Sequence, residues 1–263
     1  MAELTKELIR KYNENEPVRL NKFLSDAGFC SRREADRLIG EGKVEVDGAV
    51  ATLGQKVMPG QKVTACGKVV EPKWEMILLA FNKPAGVECT TVADVPGNII
   101  EFIGYPERIY PIGRLDKNST GLILLTNTGD LVNSILKSVN EHEKEYEVQV
   151  EKPVTDEFVN KMSGGVLLKD VPIRTREAGR YRETRDIKTR PCQVKKTGEK
   201  EFDIILTQGI NRQIRRMCEE LGYTVTALHR TRIMNIELGD LPEGKYREVT
   251  EDEVMQLISM ISG

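Results

Sequence analysis

The sequence predicts an α+β protein in two parts. A small N-terminal helix-turn-helix with a small sheet precedes a larger domain on a mixed, largely antiparallel sheet. Three observations predict this. Helix and strand signals are mixed without regular βαβ alternation. Helix starts are written as capping boxes, Ser31 with Glu34 and Thr250 with Glu253. Short β-rich stretches are separated by glycine turns, beginning with the hairpin signal Asp47-Gly48.

Taken in order, residues 1–16 read as a flexible tail. Leu20, Phe23, Leu24 and Ala27 then fall at helical spacing, and Gly28 stops that helix. Ser31 starts a second helix, and Gly40 and Gly42 end it. "KVEVDGAVA" alternates around its turn, and "GQKVMPGQKVTACGKVV" continues as short strands. The first domain is therefore 17–74, with "EPKWE" around Pro72 as linker, and the second is 75–263. The second opens with the buried strand "MILLAFNKPAG", and strand signals recur at Arg108–Ile112 and Leu122–Thr126. A helix is expected from about Gly129 to Val139, capped by Asn127 or Thr128. "KEYEVQVE" alternates as a half-exposed strand, and Thr155 caps the helix "DEFVNKMSG". Val166–Leu168, Gln193–Lys196 and Phe202–Thr207 read as strands. "NRQIRRMCEELG" reads as a helix stopped by Gly222, and "TVTALHRTRIMNIEL" and "KYREVT" as strands. The helix "EDEVMQLISMI" comes last. The charged segment 174–191 has little to bury and reads as a mobile loop, an insertion beside an RNA channel or a disordered surface loop.

Composition narrows the function classes. No apolar run approaches 18 residues and the N-terminus has no signal-peptide core, so a cytoplasmic protein off the membrane is expected. Five scattered cysteines without a CxxC pair suggest reduced thiols, not a disulfide frame or a zinc site. Two histidines, His142 and His229, make metal chemistry or a Ser-His-Asp triad poor bets. The net charge of −2 is unevenly spread. Residues 17–74 carry +3 and residues 174–216 carry +7, while 75–173 carry −6 and 217–263 carry −5. Two basic blocks can form a phosphate footprint if the fold joins them, or can be solvated faces with acidic neighbours.

One acid stands out. Asp116 lies between Arg114 and Lys117, at the mouth of the uncharged run "TGLILLTN". An aspartate before a turn is ordinarily a cap or turn former. However, Arg212, Arg215 and Arg216 open a helix, where cations oppose the dipole and call for an anionic partner. Arg215 or Arg212 paired with Asp116 would hold a carboxylate able to act as a covalent nucleophile, or make a structural ion pair. Tyr146 in "EKEYEVQV" is, from its strand alone, a half-buried core residue.

These stretches resemble a known family. "GRLDKNSTGLILLTNTGDL" resembles the catalytic motif of pseudouridine synthases, "KEYEV" their second motif, and "GINRQIRRMCEELGYTVTALHRTRI" their third in its RsuA-type form. "RLNKFLSDAGFCSRREADRLIGEGKVEVDG" resembles an S4 RNA-binding domain. The likeness covers nearly the whole chain after residue 17 and is nearest the RluF-type branch, which acts on large-subunit (23S) ribosomal RNA. The resemblance implies an S4 domain, a pseudouridine synthase catalytic domain, no cofactor and no metal, and a monomer. Asp116 would be the essential carboxylate, either adding to the base or deprotonating the ribose; Tyr146 would stack on the target base and help remove the C5 proton, and Arg215 would pair with Asp116. Ile214 would pack beneath the base and Arg114 would fill the place the flipped nucleotide leaves. Arg212 would face RNA, and Arg19, Lys22, Arg32, Arg33 and Arg37 would meet phosphates. Two rivals stand beside this reading: an S4-type RNA-binding protein without catalysis, and the same activity on transfer RNA or small-subunit RNA.

Overall fold

The computed structural model describes residues 17–71, 76–92, 94–136, 142–174 and 181–262. The tail 1–16 and most of the linker around Pro72 lie outside the described residues. Contacts divide the chain into two compact units. One takes in residues 1–78 with Tyr105–Tyr110 and Thr126–Asp130; the other takes in 79–104, 111–125 and 131–263.

In the first unit, β1 (Val18–Arg19) leads into helices α1 (Leu20–Asp26) and α2 (Arg32–Gly40). Strands β2 (Val44–Val46), β3 (Ala49–Val50), β4 (Lys56–Val57), β5 (Val63–Ala65) and β6 (Lys68–Val70) follow. Four of them form an antiparallel sheet ordered β3-β2-β5-β6, and β4 pairs with β1. The local signals act as expected. Ser31 Oγ accepts from Glu34 N–H at 3.1 Å and starts α2. Asp47 and Gly48 both take positive φ, 51° and 81°, which the tight turn between β2 and β3 requires. Leu20, Leu24, Ala35, Leu38, Ile39, Val44, Val63 and Ala65 make one apolar core. Each large aliphatic side chain buried there contributes roughly 1.5–3 kcal/mol.

The remaining strands form a nine-stranded sheet, apart from one hairpin. Its strands are β7 (Leu78–Lys83), β8 (Tyr110–Ile112), β9 (Thr120–Thr126), β10 (Lys144–Val150), β13 (Gln193–Lys196), β14 (Glu201–Leu206), β15 (Val225–Ile233), β16 (Ile236–Glu237) and β17 (Tyr246–Glu248). The main order is β13-β14-β10-β15-β9-β7-β17, with β16 on β15 and β8 on β9. β9 runs parallel to β15, whereas β10 is antiparallel to both β14 and β15. The hairpin β11 (Leu167–Arg174) with β12 (Tyr181–Lys188) forms a separate ribbon. Helices α3 (Ile99–Ile103), α4 (Gly129–Leu136), α5 (Asp156–Ser163), α6 (Gln213–Glu220) and α7 (Glu251–Ser262) complete the described elements. Leu122–Leu125 of β9 are fully buried, as an uncharged run with strands on either side must be. Phe158 and Met162 of α5 and Ile214, Met217 and Cys218 of α6 pack on Val148, Phe202, Ile204 and Leu228 of the sheet. Among the described residues no helix is long and apolar enough to cross a membrane.

The α+β class and the mixed, largely antiparallel sheet agree with the sequence reading; two details do not. The segment read as a disordered loop supplies a strand: its part 181–188 pairs with 167–174. The ribbon escapes a period-2 reading because most of its side chains face water. It is held by Leu168 and Val171, with Ile187 packed against the same core. Helix α3 was not expected; Asn98 caps it by accepting from the N–H groups of Ile100 and Glu101, both at 3.0 Å.

Candidate active site

Asp116 lies in the loop between β8 and β9. Its backbone is clamped. The Ser119 N–H donates to the Asp116 carbonyl at 3.0 Å and closes a turn. Lys83, the last residue of β7, has no exposed surface. Its ammonium donates to the carbonyls of Pro84 at 2.7 Å, Lys117 at 3.1 Å and Ser119 at 2.8 Å, which uses all three of its donors. The Gly86 N–H adds a further bond to the Lys117 carbonyl at 2.8 Å. Burial pulls the Lys83 ammonium below its ordinary pKa. The Leu115 N–H meets the Cys89 sulfur at 3.4 Å, and burial pushes that thiol up.

Arg215 reaches Asp116 from α6. Its Nε stands 3.6 Å from the Asp116 Oδ2. Its Nη2 donates to the Ser119 Oγ at 3.3 Å and its Nη1 to the Val225 carbonyl at 3.2 Å. One planar fork thus ties together the acid, the loop below it and the strand beyond. The Asp116 side chain remains 32% exposed while that of Arg215 is 13% exposed, so the acid is held yet reachable.

Tyr146 sits on β10, directly opposite Arg230 on β15 and Ile204 on β14. Arg230 Nη1 makes a long hydrogen bond of 3.5 Å to the phenol oxygen, and the guanidinium carbon lies 5.8 Å from the ring centroid. Arg230 Nε donates to the Leu122 carbonyl of β9 at 2.6 Å. The two sets of contacts therefore meet within four residues: Arg215 grips Ser119, and Arg230 grips Leu122.

The other residues singled out from sequence are placed as follows. Arg114 is exposed on the Asp116 loop. Arg212 is not the partner of Asp116: it is the N-cap of α6 in the left-handed region, φ 54°, with its guanidinium 3.9 Å from Glu219. Ile214 is only 4% exposed and belongs to the core under the sheet. Arg19, Arg32 and Arg33 are exposed on the first unit. Lys22 is turned to an ion pair with Asp26 one helical turn on, and Arg37 to Glu34 and Glu41. His142 hydrogen-bonds the Ile135 carbonyl and His229 hydrogen-bonds Thr120; no metal-binding cluster exists among the described residues.

Sequence reasoning missed Lys83, Ser119, Gly121 and Arg230. The available signal was a charge where none should be. Lys83 ends a strand whose six residues are all buried, and Arg230 is a cation with Leu228 before it and Ile233 after it.

A family model for RNA pseudouridylate synthase matches residues 77–220, and one for the S4 domain matches residues 18–63. The chain belongs to the RNA pseudouridylate synthase family. Among relatives of this synthase, the dual-specificity RNA pseudouridine synthase RluF of Salmonella typhi is 47% identical over 248 residues, spanning 94% of this chain and 80% of that one. The ribosomal large subunit pseudouridine synthase B of Bacillus subtilis is 36% identical over 248 residues, 91% of this chain and 95% of its own. A crystal structure of a pseudouridylate synthase matches with a TM-score of 0.63 at 27% identity, over 91% of this chain and 99% of the other. The matched span of the synthase contains Asp116, Tyr146 and Arg215 and ends before Arg230.

Proposed function

We propose that this pseudouridine synthase isomerises a specific uridine of large-subunit (23S) ribosomal RNA, with Asp116 as its essential carboxylate. The observation that carries the reading is the Asp116–Arg215 pair at 3.6 Å, seated on a loop clamped by Lys83 inside a pseudouridylate synthase domain. The names of the relatives in Salmonella typhi and Bacillus subtilis support the choice of RNA and of the large subunit. On this reading the synthase works in the cytoplasm, as a monomer.

The chemistry follows from uridine itself. The N1–C1′ bond breaks with its electron pair on the base, the base turns, and C5 bonds to C1′. C5 gives up its proton and N1 gains one, so mass and redox state are unchanged. The reacting atoms are inaccessible in a stacked helix, so the nucleotide flips out at a cost of a few kcal/mol. Stacking on the Tyr146 ring returns about 1–3 kcal/mol. Arg215 holds Asp116 in place, Arg114 enters the gap in the RNA, and Ile214 supports the base from the core side. A misplacement of about 1 Å can cost on the order of a hundredfold in rate, which gives the Lys83 clamp its purpose. The S4 domain supplies backbone contacts through Arg19, Arg32 and Arg33.

The test is tritium release from RNA labelled at uridine C5. The wild-type protein is expected to release tritium, and Asp116→Ala to release none while its RNA affinity stays within about threefold. No release by the wild type leaves an RNA-binding protein and ends the reading. Mapping pseudouridines in cells lacking the gene then names the target. Transfer RNA and small-subunit RNA, the rival substrates, are mapped alongside it.

A further inference from the structure

We propose that Arg230 is a positioning residue of this reaction, fixing the Tyr146 phenol from behind and setting an uncompensated positive charge behind the ring on which the base stacks. The proposal rests on the reading of Tyr146 given above.

Arg230 is 3% exposed. Its Nε is spent on the Leu122 carbonyl and its Nη1 on the Tyr146 phenol, at 2.6 and 3.5 Å. Its Nη2 is buried without any hydrogen-bond partner, and among the described residues no carboxylate pairs with it. A buried guanidinium is ordinarily neutralised by a carboxylate, because an unpaired charge in the interior is strongly unfavourable. This fold leaves it unpaired and directly across from Tyr146 in the strand register. Other cations nearby reinforce the field. Burial and then the Arg230 charge bring Lys144, two residues before Tyr146 on β10, down to about 8. Lys83 feels Arg230 as well as Asp116. Asp116 and Glu243 act on Lys83 from the other side, but among the described residues no carboxylate forms an ion pair with Arg230, so its charge is not neutralised by contact.

The reaction supplies a use for that charge. When the N1–C1′ bond breaks, the departing uracil takes the electron pair and spreads it over its ring and carbonyl oxygens. A fixed cation in a low-dielectric interior attracts that anion far more strongly than the neutral uridine, so it favours the transition state over the ground state. A carboxylate beside Arg230 would cancel the field. Its absence and the register opposite Tyr146 have one explanation in common.

The experiment compares wild type, Arg230→Met and Arg230→Lys in the full chain. It measures single-turnover pseudouridine formation, RNA affinity and thermal midpoint. Arg230→Met is expected to slow the chemical step about 100-fold. RNA affinity should stay within about threefold, and the midpoint should equal or exceed that of the wild type, since a buried unpaired charge has gone. Arg230→Lys should recover about tenfold of the lost rate, because the charge remains. An Arg230→Met variant with a rate within about threefold of the wild type overturns the proposal. So does one that loses midpoint and rate together, which marks a structural strut. If the wild type forms no pseudouridine, the reading of the site falls first and this one with it. An active wild type beside an active Arg230→Met sinks this proposal alone.

Discussion

Gly121 lies against the backbone of Arg230: a Cβ on the glycine would stand 2.3 Å from the arginine carbonyl oxygen and 2.6 Å from its nitrogen. The two residues are paired in the parallel register of β9 and β15, and Gly121 takes a φ of 98°. Close approach and left-handed backbone both demand glycine. Gly121→Ala should therefore destabilise the protein by about 3–5 kcal/mol. That corresponds to a fall of roughly 10 °C in Tm for a chain of this size. Gly60→Ala is the control, with φ 84° and open space around its Cβ. It should lose only about 1–2 kcal/mol. Thermal unfolding of the two variants side by side checks this; equal losses would mean that the packing against Arg230 is not what fixes the glycine.

Arg215 engages three partners with three nitrogens: Asp116, Ser119 and Val225. A lysine carries one charged nitrogen and no fork, so Arg215→Lys keeps the charge and loses the geometry. Pseudouridine formation should drop by about 100-fold with RNA affinity within about threefold. Ser119→Ala removes one of the three contacts and should cost a smaller factor, about tenfold or less. Rate constants for the two variants under single-turnover conditions decide the order. A Ser119→Ala loss as large as that of Arg215→Lys would mean the hydroxyl, not the fork, positions the acid.

What could be read from the sequence was what depends on neighbours in the chain. The Ser31 cap, the capping box at Thr250, the Asp47-Gly48 turn and the Thr155 cap act within four residues, and each appears where its local chemistry places it, although the Glu34 carboxylate is taken by Arg37 and leaves the Ser31 box half made. The Asp116 loop was legible for the same reason, since an acid between cations before a buried run is a local anomaly. From the residues alone its partner was a choice between Arg215 and Arg212, three residues apart, and the resemblance pointed to Arg215; Arg212 caps the helix in the left-handed region while Arg215, one turn in, reaches the acid. Lys83 and Arg230 were visible as misplaced charges, but what they hold was not legible. Their acceptors lie 36 residues away at Ser119 and 108 residues away at Leu122, and only the sheet order brings them together. The strand 181–188 was not read as a strand because its hold on 167–174 comes from two or three apolar anchors and backbone pairing, which leave other positions free to carry charge.

Lys144 gives a pH signature. Burial, with the Arg230 charge beside it, lowers its folded pKa to about 8 from the ordinary lysine value of 10.5. Between these values the unfolded chain binds more protons than the folded one, so this group makes stability rise with pH. The unfavourable contribution is fully present below about 8 and is gone above about 10.5. Relative to wild type, Lys144→Met should be most favourable at pH 7, by at most roughly 3 kcal/mol. The advantage should shrink steadily from pH 8 to pH 10. Denaturant unfolding of both proteins across that range measures it, and a difference that stays flat with pH would place the Lys144 ammonium in water.

The exposed cations of the first unit test where RNA is gripped. Arg32 and Arg33 open α2 and both are exposed, whereas Lys22 and Arg37 are engaged with carboxylates on their own helices. Each phosphate contact releases condensed counterions, so log affinity falls with log salt by about 0.7–0.9 per contact. Arg32→Ala with Arg33→Ala should therefore weaken RNA binding at low salt and flatten the salt slope by about 1.5. Lys22→Ala should leave the slope within about 0.3 of wild type, since that cation is already neutralised. Affinity titrations from 50 to 200 mM salt, roughly the span over which such slopes are resolved, separate the two variants. An unchanged slope in the double arginine variant would move the RNA-binding face off α2. A slope lost instead in Lys22→Ala would show that RNA displaces Asp26 from its lysine.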